Sequence, residues 1–564
     1  MFFVNLSIFL SAATAISYEI IGGSVLTVLL GSSIYYFSLV IGVFLAALGV
    51  GGWLSSRLEN ALEEKLALIT IALSLFGGGL TVLIFGGYVL VFEVLRGMNF
   101  GNVFGFLTGI SFGQLFFSFF ALILVFGIGI LAGILLPVFS RVVAKYISLK
   151  DALGRTFFLD YGGALFVSVL LPIFFFPTFG FIKTSFLLGI VDVISALAMM
   201  LFMRREKIKI KSILFLALAA AFVVNAVGFF NANQIENFLE KKQYGDRQIL
   251  YRGQSPYQRF SFLKDKENGK ISLYINGQRQ FESGEWDAVY HETFVHPAMA
   301  LKQSTPNLNV LVLGGGDGLA LREILKYGNV SETTLVDIDS SLVLAAKNLD
   351  EVRELNKNSF DDSRVKVVFD DAFNFIKENS DNDAYDIIFI DFPDPTDNGL
   401  AKLYSKEFYL TLKDVLRSDG IVVVQSGGYM TANHKTILLT IQAVGFKTLA
   451  LHPPVYDLLD QNFGFTLASE FEILNNDFNN LSVGVETRIF NKYKLNEIFA
   501  VTPVPKDDSS IKVNSIFQPS IVKNQSGGFA ENYFQSLPIN KILAQINLPE
   551  EKIRRDFEKM FYGN

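Results

Sequence analysis

The first 232 residues are a succession of long apolar runs, and the rest of the 564-residue chain is not. A helix that crosses a bilayer takes about 20 mostly apolar residues. About seven such runs can be placed here, centred near residues 16, 43, 80, 124, 166, 191 and 221. The N-terminus, MFFVNLSIFL, lacks the basic stretch of a signal peptide and leads straight into the first run, so it reads as a membrane helix. The second and fourth runs share a loose pattern, GVFLAALGVGGWLSSR and GIGILAGILLPVFSR, rich in small residues that favour close helix packing. The expectation is a multispan α-helical membrane domain over 1–232.

Charge divides at the same place. Residues 1–232 hold 13 Lys+Arg and 9 Asp+Glu, a net +4, and the remainder 35 and 45, a net −10, which together make the −6 of the chain. An acidic soluble half argues against a nucleic-acid partner, which needs a basic footprint, and suits a small cation. Cysteine is absent, which removes disulfides, thiol nucleophiles and thiolate-bound metals. The four histidines, His291, His296, His434 and His452, have no pair at metal-ligand spacing on one helix face, so neither a metal nor a permanent cofactor is expected.

Three carboxylates fall inside apolar runs: Glu19, Asp160 and Asp192. Charges at membrane depth are costly. Either they pair with Arg141, Arg155 or polar neighbours and fix helix packing, or they serve a ligand. Basic residues cluster after the second, fourth and sixth runs (Arg57 and Lys65; Arg141 to Arg155; Arg204 to Lys211), which the positive-inside rule places in the cytoplasm. A seventh crossing would then put the soluble half outside.

Residues 248–276 carry short strand-like runs around a polar turn, a small antiparallel sheet within a subdomain over 233–300. From NVLVLG onward, buried β-runs alternate with amphipathic helices, which specifies a doubly wound, Rossmann-like parallel sheet over 301–497. The stretch after it, 498–564, is turn-rich and reads as a peripheral tail or lid. In such a sheet ligands meet the carboxyl ends of the strands. Gly314, Gly316, Asp317, Asp337, Asp371, Asp391 and Asp394 all fall there. Asp317, within LGGGDG, adds negative charge where a dinucleotide loop would welcome phosphate. A phosphate-free nucleoside bearing positive charge fits better, such as an S-adenosyl sulfonium.

The ordered set SPYQRF, YINGQRQ, WDAVYHE, LGGGDGLALRE, VDID, DDAFNFI, IDFPDP, LYSKEFY and GFTLAS resembles the polyamine aminopropyltransferases, or spermidine synthases, over about residues 250–470. The apolar half resembles the multispan region fused to a bacterial branch of that family, in YEI, LLPVFSR and DYGGALF. The resemblance implies transfer of the aminopropyl group of decarboxylated S-adenosylmethionine, a co-substrate, to putrescine or a related polyamine. It implies that Gln258, Asp337 and Asp371 hold the methylthioadenosine portion, alongside Gly314, Gly316 and Ala372. Tyr290, His291 and Asp317 would line the aminopropyl and amine region. Asp391 would accept the proton, Asp394 would steady the amine, and Tyr456 would be a further substrate contact. A homodimer through the synthase domain is also implied.

The chain departs from the family pattern at three places. Asp337 stands where glutamate is usual, DPTDNGLAKLY lacks the proline that walls the adenine site, and HPPVYDLLDQNFGF fits the usual gate loosely. Two other readings stay open: a methyltransferase on the same sheet, opposed by Asp317, the YHE segment and the D-x-x-D-P loop, and a polyamine transporter or sensor with little turnover. Because the decarboxylated donor is expected in the cytosol, the catalytic half is expected there, against the charge rule.

Overall fold

The computed structural model describes residues 1–30, 33–96, 112–245, 247–380, 385–395, 398–452, 463–492, 494–498 and 511–521. The apolar half forms helices α1 (Phe2–Leu30), α2 (Ser33–Ser55), α3 (Leu62–Gly78), α4 (Leu80–Arg96), α5 (Phe112–Val143), α6 (Leu149–Leu170), α7 (Phe176–Arg205) and α8 (Ser212–Phe230). Among the described residues, five helices are long and apolar enough to cross a membrane, or six if α3 and α4, bent by 44° at their junction, count as one span.

The runs near 166 and 191 lie on one helical stretch of 57 residues, Leu149–Arg205. At about 1.5 Å per residue this is far longer than a bilayer core of roughly 30 Å. It is broken after α6 by a π-turn containing Pro172 and at Gly180, whose φ of 69° suits a residue without Cβ. The stretch folds back on itself. Tyr146, before α6, packs edge-on against Phe202, near the end of α7, at 5.7 Å, and both helices pack on α1. Two runs in the sequence are therefore one helical hairpin.

Small residues bring α2 and α5 together: a Cβ on Gly51 would sit 2.2 Å from the Ile130 carbonyl oxygen. Arg141 does not pair with an intramembrane acid. Its guanidinium donates to the carbonyl oxygens of Leu58 and Ser55 at 2.8 and 2.6 Å. Asp192, fully buried, instead accepts from Thr14 Oγ1 and Tyr18 OH at 2.6 and 2.7 Å. Lys145 pairs with Glu63 and Lys211 with Glu64, so the three basic loops gather at one end of the bundle.

Helix α9 (Ala232–Tyr244) packs on α4, α7 and α8 and leads into a four-stranded antiparallel sheet, β1 (Gln248–Gln254), β2 (Arg259–Lys264), β3 (Ile271–Ile275) and β4 (Gln278–Glu282). The amphipathic α10 (Glu285–Leu301) crosses to the larger sheet, β5 (Leu308–Gly314), β6 (Val330–Asp337), β7 (Val365–Phe369), β8 (Tyr385–Asp391), β9 (Leu416–Gly428), β10 (Lys447–Leu451) and β11 (Phe463–Ser469). Its order is β10-β11-β9-β8-β5-β6-β7, parallel from β7 to β9, with antiparallel pairing of β9 to β11 and of β11 to the edge strand β10. The parallel strands are the expected ones, and the β10–β11 hairpin is an addition that the alternation did not reveal. The order of strand addition reverses between the parallel neighbours β5 and β8, and their register sets Gly314 beside Asp391.

The described tail residues 511–521 pack on this sheet domain. Asn514, fully buried, donates to the carbonyl oxygens of Ala401 and Tyr404 at 2.8 and 3.0 Å, so this part of the tail is built into the domain.

Candidate active site

Pairing of β5 with β8 brings the glycine turn and Asp391 together at the switch point, where a doubly wound sheet opens its crevice. Gly314 has φ 82°, and a Cβ there would meet the Asp391 carbonyl oxygen at 2.4 Å, so only glycine lets the two strand ends close. A Cβ on Gly316 would lie 2.6 Å from Asp337 Oδ2. The turn is thus packed between two carboxylates.

Across from it, α10 delivers Tyr290 and His291. The Tyr290 hydroxyl donates to Asp391 Oδ1 at 2.6 Å. Its ring stacks parallel to Trp286 at 6.1 Å and meets Phe463 and Phe465 edge-on, an apolar wall that keeps water from the bond. His291 is buried, with Nδ1 2.9 Å from both the Asp287 carbonyl oxygen and Asp287 Oδ1. Burial opposes its charged form, but the hydrogen bond and charge of Asp287 outweigh that and raise its pKa. Asp287 in turn takes Arg322 at 2.9 Å, which anchors the whole pair behind the site.

Desolvation pushes the Asp391 carboxyl up to about 6, with the Asp317 charge adding and His291 and Tyr290 opposing. Asp317 is also raised by burial, against His291 and a 2.9 Å hydrogen bond from the Leu319 amide at the start of α11 (Leu319–Ile324). Tyr290, His291, Asp317 and Asp391 therefore form one cluster. Asp394 stands more exposed at the mouth and accepts from Gln425 Nε2 at 3.0 Å. Tyr404 OH bridges the Phe392 and Pro393 carbonyl oxygens and Gln425 Oε1, holding the D-x-x-D-P loop to β9.

Asp337 ends β6 with its carboxyl raised to about 7, first by burial and then by its acidic neighbours Asp339 and Asp317, while the Asp339 amide bonds its Oδ1 at 2.8 Å. The sequence reading passed over Asp339. Its Oδ1 caps α12 (Ser340–Asn348), and its Oδ2 accepts from Gln258 Nε2 at 2.8 Å and Ser255 Oγ at 2.9 Å. The two-residue spacing in VDID was the available signal, since it forms an Asx turn at a strand end. Asp371 caps α13 (Ala372–Glu378), which begins at Ala372, and its free oxygen pairs with Lys402 at 2.6 Å. Lys402 was not singled out either. Tyr456 lies outside the described residues. Among the described residues no group of three or more acidic or imidazole side chains is arranged to hold a metal.

The spermine/spermidine synthase domain matches residues 287–470. A polyamine aminopropyltransferase of Leptospira interrogans is 36% identical over 473 residues, 82% of this chain and 87% of that protein.

The chain belongs to the polyamine aminopropyltransferase family.

A second relative with that name, from Oceanobacillus iheyensis, is 32% identical over 92% of this chain and 95% of its own length. Both matches are longer than the synthase half, so the likeness to these aminopropyltransferases extends into the apolar helices. A solved spermidine synthase from Thermotoga maritima overlays 45% of this chain and 85% of its own, at 24% identity and a TM-score of 0.38. The assignment does not rest on that overlay.

Proposed function

We propose that the protein transfers the aminopropyl group of decarboxylated S-adenosylmethionine to putrescine or a related polyamine, giving spermidine and methylthioadenosine. The observation that carries this reading is the cluster of Asp391, Asp317, Tyr290 and His291 at the sheet switch point. It is an acidic crevice with one desolvated carboxylate held by a hydroxyl.

The donor arrives activated by its sulfonium. The amine nitrogen attacks the adjoining carbon, a C–N bond forms, the C–S bond breaks, and its electron pair stays on sulfur as a neutral thioether. The attacking amine must first lose a proton, and Asp391, with a pKa near 6, is ionised and able to accept it at neutral pH. Tyr290 occupies one Asp391 oxygen and leaves the other for the amine. Asp317 would pair with the donor's aminopropyl ammonium and repel the carboxylate of ordinary S-adenosylmethionine. Asp337 would take the ribose hydroxyls, with Gln258, Gly314, Gly316, Asp371 and Ala372 around the nucleoside. Asp394 would receive the far ammonium of the acceptor. Alignment and charge complementarity supply the rate.

Residues 1–232 would lie in a lipid bilayer, with the catalytic regions 233–300 and 301–497 and the tail 498–564 beyond it, paired as a homodimer through the synthase half. We place that half in the cytosol, where the donor is expected. The basic loops lie at the other end of the bundle, so the charge rule favours the opposite side.

The deciding experiment gives detergent-purified protein putrescine and either the decarboxylated or the carboxylated donor, with mass spectrometry of methylthioadenosine and amine products. Spermidine should form from the decarboxylated donor alone. Asp391→Asn should lose about a hundredfold or more in kcat, as removal of a proton acceptor does. Transfer by neither donor to any of several diamines would overturn the reading.

A further inference from the structure

The segment that carries Gln258 is tied to the membrane half through its neighbour. Arg259, at the start of β2, is 9% exposed, and its guanidinium pairs with both Glu236, at 2.7 Å, and Glu240. These glutamates lie one turn apart on α9, the helix that directly follows the last apolar helix. Glu240 is 2% exposed and is shared with Arg252 of β1. The same Arg259 guanidinium stands 5.6 Å from the ring of Phe85, on α4 of the bundle. Val28, Phe85, Tyr244 and Tyr274 close around it in a small cavity between the bundle and the β subdomain.

On its other side, Arg259 is fixed by its backbone. Its amide donates to Asn276 Oδ1 at 3.0 Å, and its carbonyl accepts from the Asn276 amide at 2.8 Å. Gln258, one residue earlier, and Ser255 both bond Asp339 Oδ2, and the Asp339 amide bonds Asp337. A continuous path therefore runs from α4, by the Phe85 ring contact, and from α9, by ion pairs, to Arg259, along the backbone to Gln258, and by hydrogen bonds through Asp339 to Asp337. A buried pair of this kind holds its partners tightly, because breaking it leaves an uncompensated buried charge.

We propose that Arg259 is a positioning residue for the donor, which transmits the seating of the membrane bundle to the Gln258 side of the nucleoside pocket. Donor affinity in this protein is then set partly by the bundle. This rests on the reading of Gln258 and Asp337 as donor contacts.

The test uses the full chain in nanodiscs and compares Arg259→Gln, Glu240→Gln, their double variant, Phe85→Leu and Gln258→Ala. Arg259→Gln and Glu240→Gln should each raise the donor KM by about tenfold, with the double variant no worse than the poorer single, because coupled neighbours are not additive. The acceptor KM and kcat should stay near wild type. Phe85→Leu, which changes the bundle's wall of the cavity and leaves the Arg259 ion pairs in place, should raise the donor KM about twofold and serves where an Arg259 variant fails to fold. An unchanged donor KM in these variants, or equal rises for donor and acceptor, overturns the proposal. Gln258→Ala separates the two readings. If it raises the donor KM while Arg259→Gln and Phe85→Leu do not, only the coupling fails; if it leaves the donor KM unchanged, the donor role of Gln258 fails and the coupling with it.

Discussion

The Tyr290 hydroxyl donates a 2.6 Å hydrogen bond to Asp391 Oδ1, across 101 residues of chain and between α10 and the end of β8. The bond favours the ionised carboxylate and so opposes the desolvation that raises the Asp391 pKa. Removing it should let that pKa rise further. Tyr290→Phe is expected to lower kcat by roughly tenfold to a hundredfold and to move the acid limb of its pH profile upward. An unmoved limb would separate the two residues functionally.

Proton balance predicts a wider pH dependence. Burial raises Asp391 to about 6 and Asp337 to about 7, above their unfolded values. Between about pH 4 and those values the native state binds more protons than the unfolded chain, so these two groups make the empty protein less stable as pH rises. A cationic donor offsets the charge that then appears. The acid limb of kcat/KM for methylthioadenosine release should therefore lie between about 6 and 7, and the donor-induced rise in melting temperature should grow as pH increases through that window.

Donor discrimination should depend on Asp317. Asp317→Asn removes the charge that repels a carboxylated donor and pairs with an ammonium. Its kcat/KM for the decarboxylated donor should fall, and the ratio between the two donors should narrow by about tenfold or more. Product analysis with both donors in parallel checks this, and an unchanged ratio would assign the discrimination elsewhere.

Orientation can be read directly. With the catalytic half in the cytosol, a reporter at Asn564 that matures only in the cytosol should be active and one that matures only outside should be silent. The reverse result would mean that the gathered basic loops, with Lys145 on Glu63 and Lys211 on Glu64, decide the topology.

The parallel strands were legible because each is a short buried run followed by an amphipathic helix, a pattern set by burial on both faces. Strands β10 and β11 lack that repeat and lie on either side of residues 453–462, which fall outside the described structure. The placement of Asp337 and Asp391 at strand ends was legible from the pattern alone. For Asp339 only the VDID spacing was a signal and for Lys402 there was none, because each acts on a polar side chain brought near by the fold: Asp339 on Gln258, and Lys402 on Asp371. The two arms of the hairpin α6–α7 were legible as two apolar runs, but the reversal between them was not, because hydropathy registers apolar length and is blind to the π-turn at Pro172 and the break at Gly180.

Gly314 and Asp391 are held side by side by strand pairing, at the ends of two strands whose preceding residues are almost all buried. Slipping that register by one residue would turn every side chain of β8 to the opposite face. The candidate reaction centre is thus insulated from insertions and deletions in the loops at the far end of the sheet. Lengthening those loops should leave the pairing of Gly314 with Asp391 intact, whereas a single residue gained or lost within β5 or β8 should break it.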